Sequence, residues 1–274
     1  MHRSWILGMA FAGVAAASGC GGDYILTVPD QVAPAGGETV TVVRLQRNDF
    51  FVLAPAVEEA AMRFRIGDGP LRAAYTDNLG YAAAAVSVPE KPGRHTMTVA
   101  HLDMQGDEAE RDCDVYVWDA SRPVVAVDMD CLPGLWLGSS EDAAKALRHL
   151  VVGANLLYLT RQSVRHHRAA HETLTKAGYP VGPILTWQRE HWHIVRDGPY
   201  KLPRVVVEGR LVSQLPEVRK VFPHLATGVC DSALAAKAFA EAGLSVVMVG
   251  KAAADVSTEL RRRESWSDLA AQGP

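Results

Sequence analysis

The segment Val124-Val-Ala-Val-Asp-Met-Asp130 joins four apolar residues to two aspartates that are separated by a single methionine. A continuous Val/Ala run is typical of a strand that is buried on both faces of a parallel sheet. Such a strand would carry Asp128 and Asp130 to its carboxyl end, where sheets of this kind hold their ligands. Two carboxylates there can bind a hard cation and perform nucleophilic and acid–base chemistry.

Beyond this strand, short apolar runs alternate with longer stretches of helical periodicity. The apolar runs are 156–160, 205–207, 225–229 and 246–250, and the helical stretches are 142–150, 163–178, 215–222 and 232–243. Alternation of strands and helices is typical of an α/β protein with a doubly wound, mostly parallel sheet. The sequence therefore predicts an α/β domain over residues 123–274.

The first half of the chain has a different pattern. Between residues 23 and 118, short segments alternate apolar with polar side chains and are separated by Pro/Gly turns, which predicts an antiparallel β-sandwich. The pair Thr76-Asp-Asn-Leu-Gly-Tyr-Ala82 and Pro89-Glu-Lys-Pro-Gly-Arg-His95 resembles bacterial immunoglobulin-like domains. The resemblance implies a small all-β spacer or adhesion module without chemistry of its own.

The N-terminus resembles a bacterial lipoprotein signal. His2 and Arg3 precede an apolar stretch that ends in Ala17-Ser-Gly-Cys20-Gly-Gly, a row of small residues before a cysteine. The resemblance implies that residues 1–20 hold the signal peptide and the lipidation site, with Cys20 as the acylated mature N-terminus. The residue after Cys20 is Gly21 rather than Asp, and by the same resemblance this favours transport to the outer membrane of a Gram-negative bacterium over retention in the inner membrane. The alternative is a buried N-terminal helix.

Composition excludes several classes of function. The net charge of -3 argues against general nucleic-acid binding. The sequence contains no second long apolar run, so it predicts no membrane-spanning segment. The cysteines other than Cys20 are too few and too scattered for a disulfide scaffold or a paired zinc site.

Three motifs in order resemble the haloacid dehalogenase superfamily of phosphohydrolases, and in particular its lipin-type phosphatidate phosphatase branch. The first is Asp128-Met-Asp130 after a buried strand. The second is Tyr158-Leu-Thr160, followed by a helix and the segment Gly178-Tyr-Pro-Val-Gly-Pro-Ile-Leu185. The last is Gly228-Val-Cys-Asp231-Ser, again before a helix. The resemblance implies the doubly wound fold of that superfamily.

The resemblance also implies a mechanism and a cofactor. Asp128 would attack phosphorus and form an aspartyl-phosphate, and Asp130 would protonate the leaving group and then activate water. Mg²⁺ would be held by Asp128, the backbone carbonyl of Asp130 and Asp231, and Thr160 would bind a phosphoryl oxygen. The substrate would be a phosphorylated small molecule or a lipid phosphate such as phosphatidate, which suits a chain anchored to a membrane through Cys20.

Four departures from the family pattern leave a second interpretation open. Cys131-Leu132-Pro133 replaces the usual Gly-Thr or Gly-Val, and Arg161-Gln162 replaces Ala-Arg after the second motif. The third-motif lysine has no clear equivalent; Arg210 stands nearest, with Lys201 more distant. Ala235 stands where many relatives carry a second acid. The alternative is therefore a catalytically inactive binding or structural module at the cell surface.

Two pairs of residues and one charged segment remain open at this level. In the implied fold Cys131 and Cys230 lie on neighbouring strands, so they form either a disulfide at the site or two independent thiols. His167 and His171 have the spacing of helical zinc ligands, but they lack an acidic partner at the spacing of a metalloprotease motif, so a solvated basic face is the alternative. Residues 187–220 hold seven Lys/Arg against four Asp/Glu. They form either a cap for an anionic substrate or an ordinary charged surface.

Overall fold

The computed structural model describes residues 24–48, 54–102, 108–133, 141–163, 166–196, 203–250 and 260–272. A short 3₁₀ helix, Met129–Cys131, follows the ninth strand. The helices are α1 Glu141–Gly153, α2 His167–Lys176, α3 Leu215–Val221, α4 Ala233–Glu241 and α5 Trp266–Gln272. The strands are β1 Tyr24–Thr27, β2 Gln31–Pro34, β3 Glu38–Arg47, β4 Ala61–Ile66, β5 Arg72–Tyr75, β6 Tyr81–Ser87, β7 Gly93–Leu102, β8 Glu108–Trp118, β9 Val124–Asp128, β10 Asn155–Thr160, β11 Ile184–Thr186, β12 Gln188–Arg196, β13 Pro203–Ser213, β14 Leu225–Cys230, β15 Ser245–Val249 and β16 Leu260–Arg263.

Strands β1 to β8 form two sheets that share one core. One sheet has the order β1-β3-β6 and the other β2-β8-β7-β4-β5. Every second side chain of β4 is buried, namely Met62, Phe64 and Ile66, and Val43 and Leu45 of β3 join the same core. This alternation places one face of each sheet on the core. The strands predicted from alternation are confirmed in β3, β6, β7 and β8.

The second half contains a six-stranded sheet of order β11-β10-β9-β14-β15-β16, in which every neighbouring pair runs parallel. All five residues of β9 are buried, which confirms the interpretation of the Val124 run as a strand covered on both faces. Helices α1, α2 and α5 contribute to the core on one face, and α3 and α4 to the core on the other. The carboxyl ends of β9, β10 and β14 therefore meet at one edge.

Helix α4 illustrates how the sequence forms these elements. Ser232 is its N-cap, and its hydroxyl accepts a hydrogen bond from the backbone N–H of Ala235 at 3.2 Å. Ala235, Ala236 and Phe239 are spaced to face one side and are buried against the sheet. Gly243 follows the helix with a φ of 75°, a conformation that glycine adopts at low cost. The predicted glycine end of this helix is confirmed.

The predicted fold class is wrong for the chain as a whole. We expected a doubly wound α/β protein of the haloacid dehalogenase type behind a small immunoglobulin-like sandwich, whereas the described part of the chain is mostly β, with 48% of its residues in strands and 23% in helices. Strands β12 and β13 form a separate antiparallel hairpin. The run 205–207 was predicted as a strand of the parallel sheet, and the charged segment around it as a cap or a surface loop. Antiparallel neighbours need no helical crossover. The hairpin therefore adds two long strands, and no described helix, to the second half.

The two halves contact each other at several points. The ring of Trp118 at the end of β8 meets that of Phe222 edge-on, with centroids 5.3 Å apart. Arg122, in the short connection to β9, donates a 2.6 Å hydrogen bond to a carbonyl at the end of α1. The hydroxyl of Tyr81 donates to the Glu190 carboxylate of the hairpin at 2.6 Å. Aromatic packing and hydrogen bonds thus tie the two β-rich sheets to the parallel sheet.

The predicted signal segment 1–20, with Cys20, lies outside the described residues. Among the helices that the structure describes, none combines the length and the apolar character needed to cross a membrane. Anchoring through Cys20 stays a prediction.

Candidate active site

Asp128 is the last residue of β9 and is almost fully buried, with 1% of its surface exposed. Its carboxylate caps the following 3₁₀ helix by accepting a hydrogen bond from the backbone N–H of Asp130 at 3.2 Å. Burial raises the pKa of Asp128 above its ordinary value; the charge of Arg161 opposes this rise and the charge of Asp130 adds to it. Asp128 is therefore a carboxyl group with little water around it.

Asp130 is held by residues from the end of the neighbouring strand. The Thr160 hydroxyl donates to Asp130 Oδ1 at 2.8 Å. The backbone N–H and the guanidinium of Arg161 both donate to Asp130 Oδ2, at 3.0 and 2.9 Å. Strand pairing causes this arrangement, because Leu159 of β10 lies opposite Asp128 and Thr160 follows it at the same edge. The structure thus brings together Asp128, Asp130 and Thr160, as the sequence predicted.

Arg161 is the cation at this edge. Its Nη1 lies 3.6 Å from Asp128 Oδ1 as well as 2.9 Å from Asp130 Oδ2. The guanidinium carbon stands 5.5 Å from the centroid of the Trp187 ring, a cation–π distance. Sequence reasoning treated Arg161 only as a departure from a family pattern. The signal that could have identified it is its position directly after Thr160, at the carboxyl end of a strand beside β9.

Arg210 lies elsewhere. It belongs to the hairpin strand β13, where its Nε donates to Glu208 Oε2 at 2.8 Å and one terminal nitrogen lies 3.5 Å from His191 Nδ1. Its side chain is 65% exposed. These contacts hold Arg210 on the hairpin, while Arg161 occupies the position beside the aspartates. The other sequence candidate, Lys201, lies outside the described residues.

Asp231 follows β14, the strand on the other side of β9. Partial burial raises the pKa of Asp231, while a hydrogen bond from its own backbone amide and the charge of Arg161 act against the rise. Carboxylate oxygens are the donors that Mg²⁺ prefers. Asp128 and Asp231 are partly desolvated and have raised pKa values. A divalent cation beside them would offset their negative charge. With the backbone carbonyl of Asp130 these two carboxylates have the donor types that Mg²⁺ prefers, but among the described residues the carboxylate oxygens of Asp128, Asp130 and Asp231 do not all lie within 4.8 Å of one another.

In the unusual Cys131-Leu132-Pro133 turn only Leu132 packs into the core, whereas Cys131 and Pro133 line the cavity that Asp231 also borders. Leu132 is buried in the hydrophobic core that α1 shares with β9. The Pro133 carbonyl accepts a 2.6 Å hydrogen bond from the Tyr179 hydroxyl, and the Cys131 thiol donates to the Asp128 carbonyl at 2.8 Å. These contacts fix the turn that follows the nucleophile candidate.

Cys131 and Cys230 are free thiols in the structure, which matches the independent-thiol interpretation rather than the disulfide. Burial and the charges of Asp128 and Asp231 raise the pKa of both thiols, that of Cys230 to about 12. Both therefore stay protonated at neutral pH and are weak nucleophiles.

Two cavities border this edge of the sheet. One of about 840 Å³ lies between the β-rich half and the parallel sheet, and its walls include Thr160, Arg161 and Trp187. The other, of about 560 Å³, is lined by Cys131 and Asp231 among others. The larger cavity has the size of a small-molecule site and gives Arg161 access to a ligand.

No family model matches the chain, and no curated protein matches it. Among solved structures, a carbohydrate acetylesterase from Xanthomonas citri shares 10% identity, with 90% of this chain and 73% of that chain covered and a TM-score of 0.36. The D00-D0 domain of intimin shares 19% identity over 35% of this chain and 46% of that chain, with a TM-score of 0.27. A purple acid phosphatase from yellow lupin seeds shares 11% identity over 56% of this chain and 33% of that chain, with a TM-score of 0.28.

Proposed function

We propose that the chain hydrolyses phosphomonoesters at Asp128 and Asp130, with Asp231 at the end of the neighbouring strand β14. One observation carries the proposal. Thr160 and Arg161 donate hydrogen bonds to the two carboxylate oxygens of Asp130 and hold them beside the buried Asp128. A nucleophile and an acid–base group are thereby held next to each other, with an arginine to balance the charge of a phosphoryl group.

In this proposal Asp128 attacks phosphorus with a carboxylate oxygen. The O–P bond forms as the bond from phosphorus to the leaving oxygen breaks, and Asp130 gives that oxygen a proton. Asp130 then takes a proton from water, which attacks phosphorus and releases Asp128 and inorganic phosphate. Thr160 orients Asp130 with its single hydroxyl proton, which in this arrangement is given to Asp130 rather than to a phosphoryl oxygen.

The charge-balancing role that the sequence suggested for Arg210 is assigned here to Arg161. Arg161 has 43% of its side chain exposed and borders the larger cavity, so its guanidinium can turn from Asp130 to a phosphoryl oxygen. Mg²⁺, held by Asp128, Asp231 and the Asp130 carbonyl, would neutralise the repulsion between an anionic substrate and the carboxylates.

The motif resemblance carries the preference for a lipid phosphate as substrate, and the proposed anchor makes that preference reasonable. Acylation of Cys20 would hold the protein at the outer membrane of a Gram-negative cell, where a lipid phosphate such as phosphatidate is at high effective concentration. The motif resemblance to lipin-type phosphatidate phosphatases supports the same class. A soluble phosphomonoester would use the same carboxylate chemistry.

A second function, an inactive binding or structural module at the cell surface, is favoured by two observations. Arg161 already forms hydrogen bonds to Asp130, and Ala235 is fully buried under the sheet, where a second acid of the family pattern would have no room. In that case the carboxylates would hold a cation or a ligand without turnover.

The test is Mg²⁺-dependent phosphate release by the full chain, purified in detergent, with phosphatidate and an aryl phosphate as separate substrates. We expect release from wild type and none above background from Asp128→Asn. Asp119→Asn, an exposed aspartate on the connection between the halves, is the matched control and should retain wild-type activity. Equal release from Asp128→Asn and wild type would exclude Asp128 as the nucleophile. Absence of release from all folded variants would favour the binding module.

A further inference from the structure

A second cluster of ligand-type side chains lies at the junction of the two halves. Asp30, just before β2, is 3% exposed. Its Oδ2 lies 2.8 Å from His171 Nε2 and 3.2 Å from His167 Nε2, both on α2. Among the described residues, these three form the one group of His, Cys, Asp or Glu whose ligand atoms all lie within 4.8 Å of one another.

The helix supplies two convergent imidazoles. His167 and His171 are one helical turn apart, so their side chains project from the same face of α2. Their ring centroids are 4.9 Å apart and the rings are inclined by 72°, which directs both Nε2 atoms at Asp30. The acidic partner that the sequence lacked at motif spacing comes from 141 residues before His171.

We propose that Asp30, His167 and His171 bind one Zn²⁺ ion. In a tetrahedral zinc site, with Zn–N and Zn–O bonds near 2.0 to 2.2 Å, neighbouring ligand atoms are separated by about 3.3 Å. The distances of 3.2 and 2.8 Å between Asp30 Oδ2 and the two Nε2 atoms are close to this value. Two imidazoles and one carboxylate are also the donor types that zinc takes in proteins.

The surroundings provide support for a ligand and a path for the ion. The backbone N–H of Ile184 donates to Asp30 Oδ2 at 2.9 Å, which orients the carboxylate. The Ile184 carbonyl lies 3.0 Å from His167 Nε2 and accepts a hydrogen bond from it in the metal-free protein. Asp30 and His167 also line the cavity of about 840 Å³ that reaches Thr160 and Arg161. A fourth ligand, water or substrate, can approach from that cavity.

The position of the site gives the ion a structural consequence. Asp30 belongs to the β-rich half, whereas His167 and His171 belong to α2, beside the parallel sheet. One ion would therefore bind the two halves together at the wall of the cavity that Arg161 borders. This role is independent of whether the carboxylate cluster at Asp128 turns over phosphomonoesters.

The chain offers a matched control in the hairpin. His191 Nδ1 and His193 Nδ1 lie 2.9 and 3.3 Å from separate oxygens of Glu208. This second His/His/carboxylate group shares the residue types of the junction site. It differs because its carboxylate is about one-third exposed and is also bound by Arg210.

The experiment measures metal content and affinity of the full chain in detergent, first as purified and then after removal of metal with a chelator. We expect one equivalent of zinc by mass spectrometry of the metal, and binding of Co²⁺ with the intense visible absorption of a four-coordinate site. Asp30→Asn and His171→Gln should weaken zinc binding by more than the roughly 10- to 100-fold that follows loss of a ligand's hydrogen-bond partner. The double variant His191→Gln/His193→Gln should retain wild-type affinity.

Three outcomes would overturn the proposal. They are wild-type protein that takes up no stoichiometric zinc or cobalt, a cobalt spectrum typical of six-coordinate solvent-like binding, and equal loss of affinity in the hairpin control. Circular dichroism and thermal unfolding of each metal-free variant show whether it is folded. If Asp30→Asn does not fold, the cobalt spectrum of the wild type and the zinc affinity of His171→Gln still test the proposal. A folded wild type without bound metal would identify the cluster as a hydrogen-bonded group of Asp30, His167 and His171 only.

Discussion

The hydroxyl of Thr160 donates a 2.8 Å hydrogen bond to Oδ1 of Asp130, and this bond joins the carboxyl ends of two neighbouring parallel strands. A carboxylate that is fixed in this way has a defined orientation beside Asp128. The contact therefore links strand pairing directly to the proposed acid–base role of Asp130.

Replacement of Thr160 by Val should reduce phosphate release, because Val has a similar shape but cannot donate to Asp130. A hydrogen bond to a charged group contributes about 1.5 to 3 kcal/mol, which corresponds to a roughly 10- to 150-fold lower kcat/KM. Steady-state kinetics on an aryl phosphate would measure this loss. Thr160→Ser keeps the hydroxyl and should recover most of the activity; a Ser variant as impaired as Val would show that the hydrogen bond is not the cause.

Arg161→Met should lower phosphate release by roughly 100-fold or more, the range found when one charge-stabilising donor is removed from an active site. Arg210→Met removes the same charge from the hairpin and should leave kcat/KM unchanged. The two variants are measured side by side with the same substrate. The reverse result, with Arg210 essential and Arg161 dispensable, would restore the original sequence assignment.

The pH dependence of stability should show the burial of Asp128. Its folded-state pKa is raised, so the folded chain binds this proton more tightly than the unfolded chain does. Asp128 therefore contributes stability below its unfolded pKa, and this contribution is lost as the pH rises through the folded pKa. Each unit of pKa difference corresponds to about 1.4 kcal/mol.

Without added metal, Asp128→Asn should accordingly resist urea better than wild type at neutral pH, and the difference should vanish in acid. Asn also keeps an oxygen for the helix cap. Asp119→Asn is the comparison of opposite sign, because hydrogen bonds from Ser121 lower the pKa of Asp119. A stability gain for Asp128→Asn that does not change with pH would point to a cause other than the carboxylate charge.

Gly228→Ala should destabilise the parallel sheet, because a Cβ on this residue of β14 would overlap the ring of Phe239 from α4. Overpacking of this kind costs about 1 to 3 kcal/mol. Urea unfolding followed by circular dichroism measures the change. Gly153→Ala, where the added Cβ meets nothing within 4 Å, is the control. Equal stability of the two variants would mean that α4 can shift to admit the methyl group.

Cys131 and Cys230 should react slowly with iodoacetamide in the folded protein and completely in urea. Burial raises the pKa of Cys230 to about 12 and that of Cys131 well above its usual range, so little thiolate is present at neutral pH. Mass spectrometry without reductant measures the number of alkyl groups. Two cysteines that resist alkylation in urea until a reductant is added would indicate the disulfide instead.

The sequence predicted those features that depend on local patterns. The Val124 run is apolar at every position because both faces of β9 are covered, and Asp128, Asp130 and Thr160 follow from parallel pairing of β9 with β10. The end of α4 could be predicted because a glycine marks it, and Gly243 does adopt the positive φ that ends the helix. In each case one short segment contains the whole physical reason.

The failures depend on contacts between distant segments or on competing patterns. The run 205–207 was predicted as a strand of the parallel sheet, but it pairs antiparallel with the charged stretch around Glu190, and a short run does not show which partner a strand has. Asp30 and His171 are 141 residues apart, and only the packing of the two halves brings them together. Arg161 directly follows Thr160 in the sequence, but the family pattern expects a lysine later in the chain, so the charge-balancing role was assigned to Arg210.

The short connection between the halves has a consequence for ligand selection. Arg122 is hydrogen-bonded to the end of α1, and Trp118 is packed on Phe222, so the connection is fastened at both sides. Folding therefore sets the distance between the two walls of the large cavity, and complementarity to the shape and charge of those walls would select the ligand.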